Sequence, residues 1–189
     1  GDGEYDLVAQ TLPTPHGVAA SIKLINRATF LKDFTTLGLE IEDRVRLLEE
    51  LRGAFGLLLV SSPVYNGAHT TAYSIMSFLV RAQRELVSIE APMQWSLEGA
   101  RQVDLGTDPR AMAETLRSVM AVRPEVLVLS AIPDQATARL ATQLASSVLV
   151  VATLPAQGAA QAVTSLVGLG VPAQLLASVL VGASCQRLV

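Results

Sequence analysis

The chain has 189 residues, half of them apolar, and a formal net charge of −3. That is enough material for one core of ordinary size, and it leaves no electrostatic case for a nucleic-acid partner or an anionic membrane surface. Cys185 is the one cysteine, which excludes an internal disulfide and fits a reducing compartment. In chain order, Asp6 to Pro13 and Val18 to Ile25 read as strands around a PTPHG turn whose His16 is structural. A loop with Phe30 and Phe34 leads to a helix near Glu42 to Leu51, where Ile41, Val45, Leu48 and Leu51 share a face. From Gly56 onward the pattern alternates. A strand over Leu57 to Val60 precedes a helix over Thr70 to Gln83, then come strands over Leu86 to Ile89 and Gln102 to Asp104 and a helix over Pro109 to Met120. Thr107 and Asp108 supply the cap of that helix, and Pro109 suits its first turn. A strand over Val126 to Leu129, a helix over Gln135 to Leu144, a strand over Val148 to Ala152 and helices near Ala159 to Leu169 and Ala173 to Val181 complete the pattern, with Cys185 just beyond the last helix.

Such alternation predicts an α/β fold: a mostly parallel sheet with helices on both faces. A short β/α appendage over residues 1–55 precedes a core over 56–189, and no repeat or low-complexity tract interrupts either. No charged residue occurs from Leu140 to Gln186. However, Gln143, Ser146, Ser147, Gln157, Gln161 and Gln174 recur there and Pro155, Gly170 and Pro172 punctuate it, so no apolar run approaches the ~20 residues of a membrane helix. The apolar runs read as a buried strand and core helices, and the chain as no integral membrane protein. No signal peptide is visible at the N-terminus.

The segment GLLLVSSPVYNGAHTTAY, from Gly56 to Tyr73, has the order of a phosphate-binding loop: buried strand, turn, helix. In GxxxxGK[ST] the glycines let backbone N–H groups approach phosphate, the lysine neutralises its oxygens and the hydroxyl binds magnesium. Here Ser62 takes the first glycine's place, Gly67 keeps the second, Ala68 replaces lysine and His69 replaces serine or threonine. Thr70 reaches the hydroxyl's place only by breaking the spacing to Gly67, and no Lys or Arg lies between Arg52 and Arg81. Asn66 and Gly67 still offer backbone N–H groups to an anion.

Several stretches in order resemble one family, the ATPases of type II secretion and type IV pilus assembly. DLVAQTLPTPHG (Asp6 to Gly17) is similar to the family's DLRVSTLPTVHGE, which closes the domain before the motor core, and LLLVSSPVYNGAHTTAY to its Walker A region. VSIEAPMQWSLEGARQV (Val87 to Val103) resembles the aspartate box VEDPVEYQLEGINQV, and RPEVLVLSAIPDQATA (Arg123 to Ala138) the Walker B region DPDVIMVGEIRDLETA. VATLPAQGAAQAVTSLVGLGV (Val151 to Val171) resembles the histidine box STLHTNSAAGAITRLLDMGV, and LLASVLVGASCQRLV its continuation LLASSLLGVLAQRLV. The match covers nearly the whole chain, whose first residues look like the middle of a longer one. It implies a RecA-like P-loop core. It also implies a place in a secretion or pilus apparatus on the cytoplasmic side of the inner membrane, beside an active ATPase subunit or the membrane platform. A hexameric ring belongs to the active family; a monomer, a dimer or a place in a mixed ring stay open.

Against that family the chain departs at most of the charged positions. Ala68 stands for the Walker A lysine, Ala131 and Ser130 for the Walker B glutamate and its preceding glycine, Ala91 and Gln94 for two acidic residues of the aspartate box, Pro155 for the histidine and Val8 for an arginine. Removing one such group ordinarily lowers the rate by orders of magnitude, so the sequence predicts no catalytic residue and a pseudo-ATPase, not an enzyme. Glu90 remains as either an aspartate-box acid or a strand-end charge. Glu125, at the end of the Walker B strand, is either a water-mediated metal contact or a solvated carboxylate. Asp134 matches the aspartate of GEIRD and equally suits a helix cap. His69 has no second metal ligand nearby in sequence, and neither metal nor cofactor is expected. Three functions follow as expectations: a scaffold or regulator of the apparatus; a weak nucleotide-binding sensor or residual ATPase, with ATP and magnesium; and a small membrane protein.

Overall fold

The computed structural model describes residues 5–26 and 32–188; Phe30 lies outside the described residues. The chain divides into two units, Gly1–Lys32 and Asp33–Val189. In the first, β1 (Tyr5–Thr14) and β2 (Gly17–Asn26) pair antiparallel from Tyr5↔Asn26 to Thr14↔Gly17. The hydroxyl of Thr14 donates to the Gly17 carbonyl at 2.7 Å across the turn that contains His16.

The second unit contains α1 (Ile41–Leu51) and a six-stranded sheet. Its strands are β3 (Gly56–Ser62), β4 (Leu86–Glu90), β5 (Arg101–Asp104), β6 (Val126–Leu129), β7 (Leu149–Pro155) and β8 (Leu180–Cys185), in the order β5-β4-β6-β7-β3-β8. All five pairings are parallel. The helices are α2 (Ala68–Arg81), α3 (Met112–Val119), α4 (Gln135–Leu144), α5 (Ala159–Gly168) and α6 (Ala173–Val179). Strands β3, β4 and β6 are buried along their whole length, as near-continuous apolar runs covered on both faces demand. On one face Leu57, Leu59, Leu127, Leu129, Val150 and Ala152 pack with Met112, Leu116, Ala138, Ala162 and Leu176 from α3 to α6. The alternate strand residues point the other way, and α2 packs there across β3, β4 and β7 through the fully buried Ile75, Met76 and Leu79.

Three expectations change. The division falls after Lys32, not after residue 55: the rings of Phe34 and Phe78 lie 5.7 Å apart, and Leu51 is 1% exposed, which joins α1 and its approach to the sheet unit. The last helix does not reach Val181; it ends at Val179, and Leu180–Cys185 leaves as β8, parallel to β3, so Cys185 closes a strand. A short apolar run is helix or strand by periodicity alone, and here the open edge of β3 decides. Helix α2 starts at Ala68, because Gly67, with φ 88, turns the chain into it as N-cap. Among the described residues no helix is long and apolar enough to cross a membrane.

Candidate functional site: the carboxyl ends of the strands

Ligands of parallel α/β sheets bind outside the carboxyl ends of the strands, and at that end of this sheet lie the loop after β3 and the exits of β4, β6, β7 and β8. The Asn66 N–H donates to the Pro63 carbonyl at 3.1 Å, and Tyr65 sits in the left-handed region at φ 63, with its side chain 86% exposed. The segment after β8 closes the loop. Gln186 donates its backbone N–H to the Ser61 carbonyl (3.0 Å) and its side-chain amide to the Asn66 carbonyl (3.2 Å), and accepts from the Thr71 hydroxyl (2.5 Å). Leu188 N–H donates to Asn66 Oδ1 at 3.2 Å. A Cβ at Gly67 would lie 2.8 Å from the Gln186 amide nitrogen, so this side chain holds the space beside the glycine. Ala68 is buried, and His69 and Thr70 follow half-buried in the first turn of α2. The Gln186 side chain thus occupies the space beside Gly67, and a methyl group stands at position 68.

Glu90 ends β4 at 2% exposure. Its carboxylate accepts from Ser88 Oγ (2.6 Å), from the Gln102 amide (2.9 Å) and from the Tyr73 hydroxyl. No ion pair among the described residues includes it. The Tyr73 oxygen in turn accepts the backbone N–H groups of Gln94 (3.1 Å) and Trp95 (3.0 Å), tying the segment after the cis Ala91–Pro92 bond to α2. Burial, then the hydrogen bond and charge of Glu90, push the Tyr73 phenol far above its ordinary value, so it stays a donor. Glu90 is therefore a hydrogen-bond hub more than a strand-end charge.

At the exit of β6, Ser130 Oγ accepts from the Ala91 N–H at 2.9 Å and its carbonyl accepts from Thr153 Oγ1 at 2.6 Å, which fastens β4, β6 and β7 together. Ala131 is half-buried against the core. Asp134 caps α4, accepting from the Thr137 N–H at 2.7 Å, and Pro155 ends β7 in register with Ser62. Glu125 is not at this end of the sheet. It precedes β6, and its carbonyl accepts from the N–H of Leu149, the residue paired with Gly56. It thus stands level with the start of β3, the length of a seven-residue strand, roughly 20 Å, from Ser62. There its carboxylate accepts the Glu85 N–H (3.0 Å) and pairs with Arg84 (3.3 Å), which corrects the metal-contact expectation. Sequence reading missed Tyr73 and Gln186. The first is the only phenol on a helix face otherwise apolar or small, and the second is the polar residue that ends the uncharged stretch.

The model of the family described as Type II/IV secretion system protein matches residues 1–189. Type II secretion system protein E of Xanthomonas campestris is 33% identical over 191 residues, covering 98% of this chain and 33% of the relative. Type II secretion system ATPase E of Vibrio cholerae is 28% identical over 193 residues, covering 100% of this chain and 38% of that relative. The chain thus spans well under half the length of these relatives. Among solved structures, that of the pilus retraction motor PilT with bound ADP superposes with a TM-score of 0.77 at 23% identity, over 92% of this chain and 52% of the other. The Legionella pneumophila ATPase DotB gives 0.71 at 19% identity, over 93% and 50%. At these identities the likeness is one of fold. The relatives overturn the expectation that the chain is no enzyme: the family it matches includes proteins named as ATPases.

Proposed function

The chain belongs to the Type II/IV secretion system protein family, and we propose that it works inside a type II secretion apparatus as a scaffold or regulator, docked on the cytoplasmic side of the inner membrane. Its partners in this reading are an ATPase subunit of the same family and the membrane platform that such a subunit serves. The observation that carries the reading is the closed loop after β3. The Asn66 carbonyl accepts from the Gln186 amide and Asn66 Oδ1 accepts from the Leu188 N–H, while Val64 and Tyr65 at its tip are 66% and 86% exposed. An apolar tip with satisfied flanks suits contact with another protein better than it suits capture of a small polar ligand.

The test is affinity capture of the tagged chain with a purified type II secretion ATPase and, separately, with the platform protein in detergent. The Val64→Ser, Tyr65→Ser double variant is run beside it. ATP turnover is measured in the same preparations, because relatives are named as ATPases. Retention of either partner by the natural chain, at least tenfold weakened in the variant, is expected. Retention of neither, or retention that the double variant leaves unchanged, would refute the docking role.

A further inference from the structure

Of the side chains that hold the loop after β3, one is contributed from more than a hundred residues away. Gln186 uses both ends of its amide: the oxygen takes the Thr71 proton at 2.5 Å, and the nitrogen gives one to the Asn66 carbonyl at 3.2 Å. The contact is therefore bidentate across the loop, from its last turn to the first turn of α2. Asn66 returns a second strap, accepting the Leu188 N–H at 3.2 Å, while its own side-chain amide donates to the Val64 carbonyl at 3.0 Å. Tyr65, between these two, is held at φ 63, a conformation that non-glycine residues adopt seldom. The backbone at Tyr65 is kept there by its neighbours' bonds, since its own side chain is almost fully exposed.

We infer that Gln186 is a releasable clasp: it holds the loop 63–67 in its closed, strained form and couples that loop to the segment after β8, so that a displacement of either is felt by the other. The alternative is that Gln186 merely ends β8. Its backbone N–H does serve the strand, bonding to the Ser61 carbonyl, but among the described residues its side chain bonds to the loop, at Asn66, and to α2, at Thr71. Release costs little, because the residue is only half-buried and its amide can exchange Thr71 and Asn66 for water. When it leaves, the space beside Gly67 opens and the bond that sustains the Tyr65 conformation weakens. This goes beyond the docking role, and it survives if that role fails.

The experiment is hydrogen exchange, read residue by residue, on the natural chain and on Gln186→Ala, Gln186→Glu and Thr71→Val. Gln186→Ala is expected to speed exchange of the amides from Val64 to Thr71 about tenfold, with those of Val126–Leu129 unchanged. Gln186→Glu keeps the acceptor for Thr71 and loses the donor to Asn66, so an intermediate effect is expected. Thr71→Val breaks the same clasp from the helix side without touching β8. Combined with Gln186→Ala it adds less than its separate effect, since both remove one contact. Unchanged exchange at residues 64–71, an equal rise throughout the sheet, or strictly additive effects of the pair would each overturn the clasp. Should Gln186→Ala fail to fold, Thr71→Val and Gln186→Glu carry the same test.

Discussion

Tyr73 meets several partners through a single oxygen atom. Its hydroxyl donates to Glu90 and accepts from two backbone N–H groups, so Tyr73→Phe leaves a buried carboxylate one donor short and the Gln94 and Trp95 amides without that acceptor. The expected loss is about 1–3 kcal/mol in urea unfolding; no loss would mean that water replaces the hydroxyl. The pH dependence follows from the direction of the shift. The folded phenol holds its proton more tightly than the unfolded one, first because of burial and then because of Glu90. Its contribution is therefore fully present below the ordinary phenol pKa of about 10 and is lost as pH rises above it. Stability of the natural chain should fall through that alkaline window, and the Tyr73→Phe variant, weaker at neutral pH, should fall less steeply. Asp134 illustrates how much of the residue scale is readable beforehand. An acid placed before an apolar-periodic run signals a cap, and the cap is what forms. Glu90 shows what is not readable. Its three donors come from positions 73, 88 and 102, on a helix and two strands that only folding brings together.

Among the elements, β8 depends on a narrow fit to β3. Gly56 has φ 133, and a Cβ added there would come within 2.4 Å of Val181 Cγ1. Gly56→Ala is therefore expected to destabilise by about 1–3 kcal/mol through crowding alone, with backbone strain added. Val181→Ala in the same chain should recover the crowding part and leave the strain, as read from urea midpoints of the two single variants and the double. A double variant no better than Gly56→Ala would show that Val181 is not what crowds the site. The alternation of strand and helix was legible from Gly56 to Ala152 because each buried parallel strand is a short apolar run bounded by turns. At the C-terminal end the same logic failed. Ala173–Val179 and Leu180–Cys185 run together as one mostly apolar stretch, and no charge, proline or glycine stands at the junction where helix passes to strand.

For the molecule as a whole, the Asp33–Val189 unit contains the entire sheet and the apolar cluster around it. A chain shortened to residues 33–189 is expected to fold and to lose its structure in one cooperative transition. Far-ultraviolet dichroism and the fluorescence of Trp95, the single tryptophan, should follow the same urea curve. Separate transitions for the two probes would mean that the Tyr73 and Glu90 cluster, which Trp95 reports, unfolds apart from the sheet.

The order and type of nearly every element, the parallel sheet and the family were written in the amino-acid sequence, because apolar periodicity and motif order are local and survive without coordinates. The state of the candidate site was not. That Gln186 occupies the space beside Gly67, that Glu90 is a buried hub and that Glu125 lies at the far end of the sheet all follow from strand register and from contacts across tens to more than a hundred residues. Spacing along a chain reports which residues share an element. Which end of a strand they occupy, and what reaches them from elsewhere, is decided only when the strands pair.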